Sequence, residues 1–214
     1  IETAEKFYDE LKLELAYYYS ELAHIHNEEG NYAKAETLYE KSLEINLEEK
    51  GFHVDTAIVI NNLGLTYMNQ GQYEIATEYL ERALFTREEI NSSDKASLIP
   101  ILTNLGQTYL ELNYYYYGDY ANPSKYLKKS KTYIFKAYKL AKNLLEDNNP
   151  YLHTTINNLG GYYLETGNNK KAIKFYKEAL SLIEKYLGRN HPDAALTLNN
   201  LAMAYLNNRD YKKA

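Results

Sequence analysis

The sequence predicts an all-α solenoid of antiparallel helix pairs, and three observations carry that expectation. One pattern recurs five times, as SELAHIHNEEGNYAKA, NNLGLTYMNQGQYEIA, TNLGQTYLELN, NNLGGYYLETGNNKKA and NNLAMAYLNNRDYKKA. Its marker leucines, Leu22, Leu63, Leu105, Leu159 and Leu201, stand 41, 42, 54 and 42 residues apart, so the third copy carries about twelve extra residues. A fixed period of this length marks stacked supersecondary units, none of which can bury its apolar face alone. The composition agrees: 4 Pro and 10 Gly in 214 residues are too few for a loop-rich β protein, while 45% apolar residues suffice for a continuous core.

Each copy divides into two helices. A small residue follows each marker (Ala23, Gly64, Gly106, Gly160, Ala202), and a ring comes four residues after it (His26, Tyr67, Tyr109, Tyr163, Tyr205). Positions four apart share a helix face, so the Leu and the ring point the same way. Gly30, Gly71 and Gly167 fall eight after the marker, where a first helix should end in a residue that accepts positive φ. A second amphipathic stretch follows, as at 73–87 and 170–185. Small residues recur on it at Ala35, Ala76, Ser130, Ala172 and Ala214, then at Ser42, Ala83, Ala137 and Ala179. Such stations let two antiparallel helices approach closely while Leu and Tyr fill the remaining gaps.

In chain order this predicts a single array over 1–214. A leading helix covers about 1–14, and repeats cover about 15–50, 53–90, 95–146 (with an insertion at 113–124), 149–186 and 191–214. The last stops at a small-residue station, so the fifth hairpin reads as truncated and the chain as a fragment of a longer array, which would leave an apolar end uncovered.

The segment LGRNHPDAALTLNNLAMAYLNNRDYKKA, 187–214, carries an LG-x-x-HPD…LNNLA…Y signature; His53–Asp55 keeps it as HVD and Asn149–Tyr151 as NPY. Pro192 suits a first helical turn, and Asp55 and Asp193 put negative charge at a helix N-terminus. The pattern resembles the tetratricopeptide-repeat family, in its long-period variety like that of kinesin light chains. The resemblance covers nearly the whole chain and implies a right-handed α-α superhelix. It also implies that the first helices line a concave, protein-binding groove.

With the marker Leu as position 7, positions 5, 6, 9 and 13 fall on the side of the first helix opposite the core. They hold Asn61, Asn62, Leu65 and Asn69; Asn104, Gln107 and Glu111; Asn157, Asn158 and Glu165; Asn199, Asn200, Met203 and Asn207. An Asn amide both donates and accepts, so a ladder of them can pair with an extended peptide backbone. Equally, these side chains can bond to neighbouring repeats and hold the stack. In the family the position-6 Asn resembles a peptide-backbone ligand. None of these stations holds Lys or Arg, so the carboxylate clamp of chaperone adaptors and the basic cargo groove of kinesin light chains are both missing. The expected ligand is a neutral or basic extended segment with apolar anchors near Ile58, Leu65, Leu196 and Met203.

The insertion NYYYYGDYANPS cannot face all of Tyr114, Tyr115, Tyr116 and Tyr117 inward in any regular structure. With Tyr120 they form either a recognition surface, since tyrosines give contact area at low entropic cost, or rings packed on adjacent repeats. Between 121 and 145 stand seven lysines and no acid, which fits an anionic partner or a solvated outer face. The net charge of −5 argues against nucleic acid as the main partner.

No HExxH, GxSxG, GxGxxG or P-loop pattern is present, and zero Cys removes thiolate chemistry. His24 and His26 point to different sides of a helix. No catalytic residue, metal or cofactor is expected, nor is a membrane span or signal peptide, and a cytoplasmic setting fits the cysteine-free composition. The predicted function is a protein-interaction scaffold. The alternatives are the regulatory arm of a larger signalling protein (a kinase, caspase-like protease or NTPase) and self-association through the array ends.

Overall fold

The computed structural model describes residues 2–90, 93–116 and 123–213, with side chains from residue 11 onward except 123 and 124. Among these residues the chain forms nine helices and no strand, in two compact units. Unit 1, residues 1–93, holds α1 (Glu2–Glu28), α2 (Tyr32–Lys50), α3 (Val54–Asn69) and α4 (Tyr73–Glu89). Unit 2, residues 94–214, holds α5 (Leu98–Tyr115), α6 (Pro123–Leu144), α7 (Pro150–Glu165), α8 (Asn169–Tyr186) and α9 (Pro192–Asn207).

Within each unit consecutive helices pack as hairpins, and first helices also touch across repeats: α1 with α3, α5 with α7, and α7 with α9. Small residues make this closeness possible. A Cβ on Gly64 would stand 2.7 Å from Leu80 Cγ, and one on Gly160 would stand 2.7 Å from the Tyr176 ring. Where the small residue is Ser, its hydroxyl bridges the hairpin instead. Ser42 donates to the Ala16 carbonyl at 2.7 Å and Ser130 to that of Gly106 at 2.9 Å. The marker leucines 63, 105, 159 and 201 are buried as expected.

Leu22 is not. It is 43% exposed, although its neighbour Ala23 is fully buried against α2. The sequence assigns Leu22 to the core by periodicity. Periodicity selects a face, but burial of that face needs a helix on its far side.

The turns follow from local chemistry. Gly30, Gly71 and Gly167 take φ of +76°, +75° and +72°. After each, a backbone N–H reaches back five residues, as from Asn31 to His26 at 2.8 Å, which satisfies the last carbonyls of the first helix. Arg209 holds the same station after α9 with φ +60°, the only described non-glycine residue at positive φ. Entry into α3, α7 and α9 uses side-chain caps. His53 Nδ1 accepts from Asp55 N–H, Asn149 Oδ1 from Tyr151 N–H, and His191 Nδ1 from Asp193 N–H. The histidine of the HPD-type loop is thus a structural cap.

Candidate functional site

The first helices of each unit lie side by side, so residues at equivalent stations form rows. In unit 1, Asn69 of α3 donates to Asn27 Oδ1 of α1 at 3.5 Å, and Asn61 is buried and donates to Asn62 Oδ1 at 3.3 Å. Asn62 in turn bonds the Tyr39 hydroxyl. Burial, aided by Glu21 and Glu28, nonetheless pushes that phenol up to about 12. Leu65 is half-buried and Ile58 is 50% exposed.

In unit 2 the row runs over α5, α7 and α9. Asn158 is buried and donates to the Thr103 carbonyl on α5 at 3.5 Å. Asn104 is half-buried, and Asn157 Oδ1 is buried without a hydrogen-bond partner. The amide ladder is therefore divided. Asn62, Asn69 and Asn158 join helices together, the stack-holding role the sequence left open. Asn199 and Asn207 are exposed and Asn200 half-exposed beside Met203 and Leu196, which are 46% and 57% exposed.

The electrostatics of this row are set by carboxylates. Gln107 Nε2 donates to Glu111 Oε1 at 2.9 Å. The Glu165 carboxyl is raised above its ordinary value, first by partial burial and then by the negative charge of Glu111. Two acids at the same station of adjacent repeats thus make the surface favourable to positive charge.

The insertion divides as well. Residues 113–115 continue α5, with Asn113 buried and Tyr114 and Tyr115 exposed at 70% and 67%. Tyr116 turns back and stacks on Tyr126, with ring centroids 5.7 Å apart. Tyr126 and Tyr133 both stack on Tyr109, at 6.3 and 5.8 Å. Tyr117 and Tyr120 lie outside the described residues. On α6, Lys129 Nζ bonds the Tyr109 hydroxyl at 2.8 Å, Lys142 pairs with Glu178 at 2.8 Å, and Lys125 and Lys128 are exposed. The aromatic rings among these lysines are engaged in packing.

Among the described residues no group of three or more His, Asp or Glu could hold a metal ion, and no helix is long and apolar enough to cross a membrane. The sequence reading missed two features. One is the capping role of His53 and His191, which the HVD and HPD spacing carried. The other is the exposed face of α1.

A family model described as tetratricopeptide repeat matches residues 12–84, 55–115, 127–185 and 151–214. No curated protein sequence matches the chain. Among solved structures, the chain is similar to BtubC (BKLC) from P. vanneervenii, with 23% identity over 99% of this chain and 80% of that one, at a TM-score of 0.76. It is also similar to a Podosopora anserina putative kinesin light chain with nearly identical repeats, with 19% identity over 94% of this chain and 90% of that one, at a TM-score of 0.70. A MamA mutant aligns with 23% identity over 93% of this chain and 91% of that one, at a TM-score of 0.52.

Proposed function

The chain belongs to the tetratricopeptide-repeat family, and from that premise we propose that the row formed by α5, α7 and α9 binds an extended, neutral or basic peptide segment of a protein partner. One observation carries the reading: neighbouring carboxylates at Glu111 and Glu165 stand in a row without Lys or Arg, whose α9 stations include the exposed Leu196 and Met203. Glu111 and Glu165 favour positively charged side chains. Leu196 and Met203 offer apolar anchorage, and the accessible amides of Asn199, Asn200 and Asn207 pair with peptide backbone. Asn61, Asn62, Leu65, Asn69, Asn104, Gln107, Asn157 and Asn158 belong to the same stations, with those bonded between helices acting mainly by fixing the geometry.

A peptide library sorted by net charge tests this reading, with affinities read by fluorescence anisotropy. Basic and neutral ligands should dominate, and Glu165→Gln and Met203→Ser should each weaken the best ligand severalfold. A library yielding only acidic ligands, unaffected by Glu165→Gln and Asn200→Ala, would overturn it.

A further inference from the structure

Gly161 stands on α7 at a station where α1, α3, α5 and α9 carry His24, Leu65, Gln107 and Met203. Its neighbour Gly160 is required by packing, since a Cβ there would meet the Tyr176 ring at 2.7 Å. Gly161 is not. Its φ is not positive, and an added Cβ would find only Leu110 Cδ2 at 3.5 Å and the Tyr176 hydroxyl at 3.6 Å within 4 Å. A glycine inside a helix weakens that helix relative to alanine, so neither backbone nor packing calls for it here. What the missing side chain leaves is a notch, with Leu110 of α5 and Tyr176 of α8 for walls. Helix α7 contacts both α5 and α9, so the notch is interior to unit 2.

The polar atoms around the notch are acceptors. The Tyr176 side chain is 1% exposed, and its hydroxyl makes no hydrogen bond among the described residues. On α7, Asn157 and Glu165 lie four residues before and after Gly161 and so share its face. Asn157 Oδ1 is buried without a hydrogen-bond partner. On α5, Gln107 and Glu111 hold the stations beside Gly161 and Glu165, and the Gln107 amide nitrogen is already engaged with the Glu111 carboxylate. Three of these groups feel one another. The Tyr176 phenol is raised by burial and then by the charge of Glu165, and the Glu165 carboxyl by burial and then by Glu111. No cation opposes either shift. Glu165 is open to solvent yet sheltered enough to be shifted, as a group on the wall of a concavity is.

This donor-poor, negatively charged set selects its occupant. A guanidinium carries five N–H donors in a fixed planar fork and no acceptor, so one group can serve carboxylates on two helices and a phenol or amide oxygen besides. It is weakly hydrated, which lowers the cost of leaving water, and its methylene stem can lie along Leu110 and the Tyr176 ring. An ammonium has three donors and holds its water more strongly. A neutral donor would leave both carboxylates without a counter-charge. The acidity is also local. Residues 94–214 contain 17 Lys and Arg against 10 Asp and Glu, so the paired acids are an exception within a basic unit rather than part of a uniformly acidic surface.

We propose that the notch at Gly161 is an arginine site, where Glu111 and Glu165 hold a guanidinium of the bound segment; the inference rests on the peptide-row reading for the source of that arginine. The probes are N-acetyl-arginine amide, its lysine counterpart and its citrulline counterpart, which keeps the shape and loses the charge. Each is titrated into isotope-labelled protein and followed by backbone amide shifts. The arginine amide is expected to bind saturably, with the Gly160 and Gly161 resonances among those that move. The lysine amide should bind severalfold more weakly and the citrulline amide at least tenfold more weakly. Gly161→Met, which copies the α9 residue at this station, and Glu165→Gln should each weaken the arginine amide at least tenfold. Gly161→Ala should weaken it severalfold while leaving the protein no less stable to urea, so that the loss is not a loss of fold. No saturable binding of the arginine amide, equal binding of the lysine or citrulline amide, or indifference to both Gly161 variants would each overturn the proposal. The peptide row fails separately. A library whose basic ligands ignore Gly161→Met overturns the notch and leaves the row, whereas an arginine amide that meets every expectation while no extended peptide binds leaves the notch and overturns the row.

Discussion

Gly106 and Gly161 should respond oppositely to the same substitution. A Cβ on Gly106 would stand 2.5 Å from Ile134 Cγ1, 3.1 Å from the Ile134 backbone nitrogen and 3.4 Å from its Cα. The side-chain atom can rotate aside, but the backbone atoms move only if α6 moves. Alanine gains about 1 kcal/mol over glycine in a helix interior, whereas overpacking a closed contact costs about 1–3 kcal/mol. With backbone in the way the cost lies in the upper half of that range, so Gly106→Ala should be destabilising by about 1–2 kcal/mol. At Gly161 an added Cβ meets Leu110 Cδ2 at 3.5 Å and the Tyr176 hydroxyl at 3.6 Å, which is ordinary contact. Only the propensity gain remains, and Gly161→Ala should stabilise by about 0.5–1 kcal/mol. Because both replace a helical glycine in unit 2, the change in unfolded-chain entropy largely cancels between them. Urea titration followed by far-ultraviolet circular dichroism reads both. A Gly106→Ala midpoint at or above that of the parent, or two midpoints moving together, would refute the close-approach reasoning.

The remaining expectations are smaller. Ser42→Ala removes the bridge to the Ala16 carbonyl inside the buried α1–α2 contact and should cost about 1–2 kcal/mol in the same titration. His153 is buried, with Nε2 3.9 Å from Asp193 and near His191, and burial holds its pKa below the usual value despite the opposing pull of Asp193. Its stabilising contribution is complete above the unfolded value of about 6.5 and is lost as pH falls through the lower folded value. His153→Leu should therefore flatten the fall in urea midpoint between about pH 7 and 5. Arg209→Gly should relieve a left-handed residue of about 1 kcal/mol of strain, seen as slower hydrogen exchange in the last turn of α9.

Much of this was legible because the repeat imposes the same demand at each station. Gly64, Gly106 and Gly160 follow their leucines since each faces a second helix at contact distance, and Gly30, Gly71 and Gly167 recur since each turn needs positive φ. The exposure of Leu22 was not legible, because Leu22 obeys the same pattern as the fully buried Leu63. The amides show a different limit. Composition marks Asn62 and Asn158 as donors and acceptors alike, but their targets, Tyr39 and the Thr103 carbonyl, are set by how adjacent helices are offset. In the insertion, Tyr116 stacks on Tyr126 ten residues on in sequence, and no local periodicity announces such a return.

The stacked rings of Tyr109, Tyr116, Tyr126 and Tyr133 also give the molecule an optical property. The chain has 25 Tyr and no Trp, so tyrosine emission is not drained by transfer to indole. Coupled phenols at 5.7–6.3 Å, one bonded to the Lys129 ammonium, should give a near-ultraviolet dichroic band. That signal would report, without any label, whether α5 and α6 keep their register when something binds nearby.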